Sequence, residues 1–266
     1  MKIHAPIALL TVLFMPKNPT VVTLCVLSLF TAAAVAQVQP DAKALLDSAG
    51  QKLATAQTIR LTAQHKLDPS LGYGGKIDRG PITVTLQRPN KFHAIQPAGD
   101  ETREVASDGK HFVLMYPQRK HHAIEPLRTA SIEEFADAVD QKFGFRPPLA
   151  ELLAGNLTAE MLRNVTAAGI VGPEYVGFTR CKRLLLVQDG MTTDLWIGGK
   201  DKLPRRMKFT FTEFSGKPTW DIRIRKWEMN PAVDDSLFSK RPAADSTRVA
   251  LLKSLRSTPK PIVIVP

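Results

Sequence analysis

The sequence predicts an α+β protein with a strongly curved antiparallel β-sheet, an N-terminal helix and a central helical insertion packed on its concave face. The spacing of apolar residues is helical up to residue 56, alternating afterwards, and helical again only between residues 131 and 162. Short turns join the alternating segments, which favours antiparallel neighbours. The runs RLLLV and HFVLMY are apolar on both faces, as expected of a sheet wrapped around an apolar interior.

Residues 1–36 have the pattern of a cleaved signal peptide. They contain Lys2, Lys17 and no acidic residue, and their apolar run ends in Ala34-Val35-Ala36, a small-residue cleavage pattern. The run is shorter than the ~20 residues that span a bilayer. We therefore expect an exported, periplasmic protein with one domain over residues 37–245 and a Pro-rich tail over residues 246–266. Met15 also precedes a basic start, so the sequence leaves Met1 and Met15 open as initiators.

The mature chain is strongly basic. The whole sequence carries 36 Lys and Arg against 25 Asp and Glu, and its net charge of +11 falls to +9 without Lys2 and Lys17. An exported protein rarely meets nucleic acid, so we expect no nucleic-acid partner. The charge indicates either attraction to an anionic membrane surface or acidic ligand, or simply solubility.

Removal of the leader takes away Cys25 and leaves Cys181 alone, which excludes an intramolecular disulfide. Cys181 lies between Arg180 and Lys182, which would lower the pKa of an exposed thiol. The surrounding strand pattern favours a buried, unreactive thiol instead.

The elements follow one another in a simple order. Asp41 is the predicted cap of a first helix that buries Ala42, Leu45 and Leu46. The Gly-rich segment DPSLGYGGKIDRG, residues 68–80, predicts a mobile loop. Six strand-like segments follow the helix, at residues 58–67, 80–89, 91–97, 102–107, 111–117 and 120–126.

The insertion begins with a capping box, in which Ser131 is the N-cap and Glu134 lies three residues later. Gly144 ends that helix. Two short helices are predicted next, one beginning at Pro147-Pro148 and one capped by Thr158.

The last third is strand again. A turn at Asp189-Gly190 joins the first two segments, and a hairpin over residues 203–229 turns at residues 215–218. Residues 230–242 predict an irregular edge, and the tail after them has no obvious partner.

The segment SDGKHFVLMYPQRKHHAIEP contains three histidines and a strong Asp108-Gly109 turn signal. Alternation places Phe112, Leu114 and Tyr116 on one face. His121 and His122 are adjacent on a strand, so their side chains point to opposite faces and cannot converge on one ion. A site formed by His111 across the hairpin stays open, but we favour a solvated hairpin with no metal.

No sequence motif indicates catalysis. The sequence lacks a G-x-S-x-G elbow, a phosphate loop and a dinucleotide fingerprint, so we expect no cofactor and no enzyme activity. A spatial pair of carboxylates cannot be tested from sequence alone.

Four segments resemble known families. SDGKHFVLMYP resembles the hairpin of the LolA-like outer-membrane lipoprotein carriers. GFTRCKRLLLV, DLWIGGKDKLPRRMKF and WEMNPAVDDSLFSKRP resemble a narrower family of predicted periplasmic proteins, DUF2092, within that superfamily. The resemblance spans about residues 40–243 and implies a half-open barrel lidded by helices, with an apolar cavity for acyl chains.

We therefore expect a non-enzymatic binding protein for a lipid or an acylated protein. The alternative is an envelope interaction module with a filled core and no ligand. Candidate hinges for ligand release are the loop at residues 72–80 and the joint at residues 143–148. The expected cavity-lining residues are Leu61, Leu86, Phe112, Leu114, Trp196, Met207, Phe209, Phe211, Ile222 and Ile224.

Overall fold

A twelve-stranded sheet dominates the computed structural model, which describes residues 37–71 and 78–251. The helices are α1 Pro40–Ala54, α2 Ile132–Phe143 and α3 Leu157–Met161. The strands are β1 Thr58–Leu67, β2 Asp78–Gln87, β3 Lys91–Ala98, β4 Glu101–Ser107, β5 His111–Tyr116, β6 His121–Pro126, β7 Val165–Val176, β8 Thr179–Gln188, β9 Met191–Gly198, β10 Pro204–Phe211, β11 Thr219–Met229 and β12 Thr247–Arg248. The predicted signal peptide, residues 72–77 of the predicted loop and the end of the tail lie outside the described residues.

The sheet is an open, almost entirely antiparallel meander. Its strand order is β12-β6-β5-β4-β3-β2-β1-β11-β10-β9-β8-β7, so β12 and β7 form its edges. The pairing of β1 with β11 joins the half that contains β1–β6 to the half that contains β7–β11. β12 pairs in parallel with β6, and Val38 forms an isolated parallel bridge with Ala168 of β7. The predicted half-open barrel with helices is confirmed.

Helix α1 packs as predicted but begins differently. Its N-cap is Gln39, and Pro40 takes the first helical position, where its missing N–H costs nothing. Asp41 lies inside the first turn and accepts the Ala42 N–H instead of capping the helix. The predicted apolar face is buried.

Helix α2 has the predicted cap. Ser131 Oγ accepts the Glu134 N–H at 3.1 Å, and Glu134 accepts the Ala130 N–H at 2.6 Å. Gly144 ends the helix with a φ of 76°, a conformation that glycine adopts without strain.

The rest of the insertion differs from the prediction. The segment after Pro147-Pro148 forms only a 3₁₀ turn, Glu151–Leu153. Asn156 caps α3, because its side chain accepts the Ala159 N–H. The Thr158 hydroxyl donates instead to Asp47 of α1 at 2.6 Å, and so links the two helices.

One main hydrophobic cluster fills the concave side of the sheet. It contains buried side chains from α1, α2, α3 and from strands on both sides of β1, such as Phe92 on β3 and Leu195 on β9. Side chains so far apart along the strand order share one cluster because the sheet curves around the helices. We call this face the inner face and the opposite one the outer face.

The outer face is crossed by residues 234–249, which we call the C-terminal strap. Asp235 pairs with Lys91 at 2.8 Å, and Lys240 lies 3.4 Å from Glu104. Phe238 is buried, with the ammonium of Lys91 5.9 Å from its ring centre. The strap ends as β12. Residues 234–242 therefore pack across the sheet rather than along an irregular edge, and the first residues of the tail have a partner.

Candidate functional site: the inner trough

Eight of the ten predicted lining residues lie on the inner face. Seven are buried members of the main cluster, namely Leu61, Leu86, Phe112, Leu114, Met207, Ile222 and Ile224. Phe209 is half-buried against the same cluster. Strand alternation brings them together, because each is in phase with the buried positions of its own strand.

Trp196 requires a correction, since the structure places it on the outer face. Its neighbours Leu195 and Ile197 take the inner positions of β9. The indole lies between two guanidinium groups, with Arg183 5.4 Å and Arg206 4.5 Å from the ring centre. The run Leu195-Trp196-Ile197 is apolar throughout, so its sequence does not indicate which side chains face inward.

Phe211 also departs from the predicted lining. It is in phase with Phe209 on β10 but ends the strand, beyond the main cluster. Its ring contacts Phe214 of the following turn at 6.2 Å between centres. Phe211 therefore stands at the end of the trough and not inside it.

Aromatic side chains mark the end of the trough where β10 finishes and β11 begins. Phe209 and Trp220 stack with ring centres 5.4 Å apart, and both are half-buried. The Trp220 indole N–H donates to His65 Nδ1 at 3.2 Å, which fixes the orientation of the indole. We call these three residues the aromatic end. His65 is buried on β1 and was absent from the predicted lining.

Helix α2 fills much of the trough. The ring centres of Phe135 and Phe92 are 5.3 Å apart. Phe143 stacks on Phe112, with ring centres also 5.3 Å apart. Two clefts of about 760 and 290 Å³ occur elsewhere on the described surface, one at the β7–β8 turn and one under the C-terminal strap. Neither is lined by a predicted lining residue.

Ion pairs of Arg146 hold together the joint after α2, residues 143–148. The Arg146 guanidinium contacts Asp137 at 2.9 Å, Glu151 at 2.5 Å and Asp140 at 3.7 Å. Burial opposes ionisation of Asp137, but hydrogen bonds from Arg163 and Arg146 hold the pKa of its carboxyl below the usual value. The predicted hinge at residues 143–148 is therefore a clamped joint in this structure.

The three histidines of the β5–β6 segment do not converge. In the strand register His111 lies opposite Pro126, at the other end of the hairpin from His121 and His122. His122 Nδ1 lies 2.8 Å from Ser246 of the strap, whereas His111 and His121 are exposed. Among residues 37–71 and 78–251, no group of three His, Cys, Asp or Glu side chains could hold a metal.

Cys181 is buried, as predicted. Burial raises the pKa of its thiol above the usual value, despite the nearby charge of Arg205. The thiol is thus protonated at neutral pH, which is typical of an unreactive cysteine. No helix among the described residues is long and apolar enough to cross a bilayer.

Comparison with known proteins gives the family. The sequence profile of DUF2092, a family described as predicted periplasmic proteins, matches residues 42–252. The chain belongs to this family. Membership of DUF2092 confirms the resemblance seen in the sequence and the predicted periplasmic location. None of the curated proteins matches this chain.

Solved structures similar to the DUF2092 chain have low sequence identity to it. An uncharacterized conserved protein from Thermus thermophilus is 14% identical with a TM-score of 0.49, over 79% of this chain and 99% of that one. LprF from Mycobacterium bovis is 12% identical with a TM-score of 0.47, over 74% and 96%. MucB in the Pseudomonas aeruginosa MucA/MucB complex is 13% identical with a TM-score of 0.43, over 79% and 63%.

Proposed function

We propose that this periplasmic protein binds the acyl chain of a lipid or of a lipid-modified partner on the inner face of its sheet, without catalysing a reaction. The observation that carries the proposal is the aromatic end. There, a continuous apolar face terminates in the half-buried, stacked rings of Phe209 and Trp220. Half-buried rings beside a large apolar surface are typical of the mouth of a ligand pocket.

Burial of an acyl chain on the inner face would require α2 to move. A chain of a dozen methylenes contributes on the order of 10 kcal/mol on burial, before ordering costs. In the described state Phe135 and Phe143 occupy part of that surface. A ligand would therefore replace the contacts of α2, and the joint clamped by Arg146 is the place where the helix would swing away. The other predicted hinge includes residues 72–77, which lie outside the described residues.

Titration with a fluorescent fatty-acid analogue tests this proposal. We expect Phe209→Ser to weaken binding about tenfold, equivalent to 1.4 kcal/mol, because the ring stack at the mouth is lost. Ile95→Ser is the control, since Ile95 is an exposed apolar residue on the outer face of β3, opposite Glu104, and it should leave affinity unchanged. Equal affinity of the Phe209→Ser variant and the parent would contradict a pocket at the aromatic end.

A second candidate function is an interaction module with a filled core. The observation in its favour is that α2 already occupies the inner face, with Phe143 stacked on Phe112. Native mass spectrometry with lipid extraction, on protein purified from its own envelope, separates the two functions. Co-purified acyl species support the carrier, and a clean mass without lipid supports the module.

A further inference from the structure

Exposed apolar side chains concentrate on one hairpin. Five large apolar residues are exposed in the described part of the chain, and three of them, Val171, Tyr175 and Phe178, belong to β7 and the turn after it. Gly177 and Phe178 form that turn, with Gly177 at a φ of 58°. Phe178 is fully exposed and Tyr175 is 67% exposed. We call residues 173–182 the hairpin tip.

Unpaired cations accompany these rings. In the strand register, Arg180 lies opposite Tyr175 and Lys182 lies opposite Pro173. These cations therefore share one face of the hairpin with the apolar groups. Together with Lys200, these cations line the cleft of about 760 Å³, and Phe178 forms part of its wall. Within residues 37–71 and 78–251, no carboxylate lies within salt-bridge distance of Arg180, Lys182 or Lys200.

The acids of this region have cationic partners of their own. Asp201, which also lines the cleft, forms an ion pair with Arg205. Glu174 lies 3.7 Å from Arg183, which also contacts Asp194 at 2.8 Å. Arg180, Lys182 and Lys200 therefore remain without an ion-pair partner beside a fully exposed ring. Such a surface is complementary to a partner that is both anionic and apolar.

The backbone of β7 argues against a peptide partner that would add a strand. The edge at Ala168 is occupied, because Gln39 donates to its carbonyl at 2.9 Å and its own N–H donates to Gln37 at 3.2 Å. Beyond it, the register shifts between Ile170 and Gly172, and Pro173 has no N–H to donate. An added strand would find no regular hydrogen-bonding edge near the tip, so side chains must supply any recognition.

We propose that the hairpin tip docks on the surface of an anionic lipid bilayer. Phe178 and Tyr175 enter the interfacial layer, where aromatic rings are favoured, and Arg180, Lys182 and Lys200 contact lipid phosphates. The tip lies at the start of β8, whereas Phe209 of the aromatic end is level with Leu186, near the other end of that strand. Phe178 and the aromatic end are therefore roughly 25 Å apart along the strands at 3.3 Å per residue. Docking therefore leaves the mouth of the trough accessible and does not depend on the trough binding a ligand.

Vesicle co-sedimentation of the mature chain tests the docking. We expect binding to vesicles with about a third phosphatidylglycerol in phosphatidylcholine, little binding to pure phosphatidylcholine, and weakening with salt over the screening range. The triple variant Arg180→Gln/Lys182→Gln/Lys200→Gln should bind about 100-fold more weakly, and Phe178→Ser about tenfold more weakly.

A triple variant elsewhere provides the matched control. Lys110→Gln/Lys217→Gln/Arg225→Gln removes the same charge from exposed positions that lie outside the tip. If it weakens vesicle binding as much as the tip triple variant does, net charge alone is responsible and the proposal is wrong. Unchanged binding by Phe178→Ser, or full competition by inorganic phosphate, would also overturn it. Failure here with intact fatty-acid binding would leave the proposed trough standing, and the converse result would leave the docking surface standing.

Discussion

Glu104 ties two strands of the outer face to the C-terminal strap. Its Oε1 lies 2.7 Å from His93 Nε2 and 3.4 Å from Lys240 Nζ of the strap. The hydrogen bond with His93 is the largest cause that lowers the pKa of Glu104 below its usual value, with Lys240 adding to it and burial opposing it. A carboxylate whose pKa is lowered by folding stabilises the folded state only while it is ionised.

Replacing Glu104 by glutamine should therefore have a pH-dependent effect. Near neutral pH we expect Glu104→Gln to lower the free energy of unfolding by about 1–3 kcal/mol, because a buried histidine and a lysine lose their charged partner. The difference from the parent should shrink as the pH falls from the ordinary glutamate pKa of 4.5 through the lower pKa of the folded carboxylate, because the parent is then protonated in both states. Urea unfolding of both proteins at several pH values measures this difference in the free energy of unfolding.

Glu101→Gln is the control on the same strand. Glu101 pairs with Arg119, and although the Glu101 side chain is only 19% exposed, that of Arg119 is 63% exposed. Ion pairs whose cation is open to solvent contribute little. Its effect should be small at every pH. A loss of stability by Glu104→Gln that does not change with pH would mean that packing, and not the ionised carboxylate, is responsible.

Single elements differ in how far their sequence predicts them. The cap of α2 is encoded locally, by Ser131 with Glu134, and this prediction is confirmed. The grouping of Phe112, Leu114 and Tyr116 on one face of β5 follows from strand geometry alone and is also confirmed, although the run is apolar on both faces. The inward face of β9 was not predictable, because Trp196 stands between two apolar neighbours. Its contacts with Arg183 of β8 and Arg206 of β10 arise only from the pairing of the strands.

Long-range partners were also beyond the sequence. The strap over residues 234–249 has no periodic pattern, so nothing in it indicated that Phe238 would be buried on the outer face. His65 is part of the aromatic end only because β1 pairs with β11 in a register that brings Trp220 beside it. That register depends on the fold of the whole chain.

Arg146 should control the opening of α2. Arg146→Met removes the cation shared by Asp137, Asp140 and Glu151 but leaves the inner face untouched. We expect amide hydrogen exchange in α2 to accelerate about tenfold or more, because local opening becomes easier by roughly 1.4 kcal/mol. If the inner face binds acyl chains, affinity for the fatty-acid analogue should rise as well.

Arg119→Met is the comparison for this experiment, since it removes a largely exposed guanidinium far from the joint. It should change neither the exchange of α2 nor ligand affinity. Faster exchange throughout the chain after Arg146→Met would indicate general destabilisation instead of a hinge.

At the scale of the whole molecule, β1 is the central connection. It pairs with β2 on one side and with β11 on the other, and the main cluster extends across both halves. All three tryptophans, at positions 196, 220 and 227, belong to the half that contains β7–β11. Tryptophan fluorescence therefore reports on one half, while far-UV circular dichroism reports on the entire sheet.

Phe112→Ala tests whether the two halves unfold together. Phe112 lies on β5, in the half without tryptophan, and is fully buried against Phe143. Its truncation should cost about 3–5 kcal/mol, with Phe112→Leu as a milder variant should the first not fold. Since one cluster spans both halves, the urea midpoint from tryptophan fluorescence should shift as much as the midpoint from circular dichroism. A fluorescence midpoint that does not shift would show that the two halves unfold separately, in spite of the shared cluster and the pairing of β1 with β11.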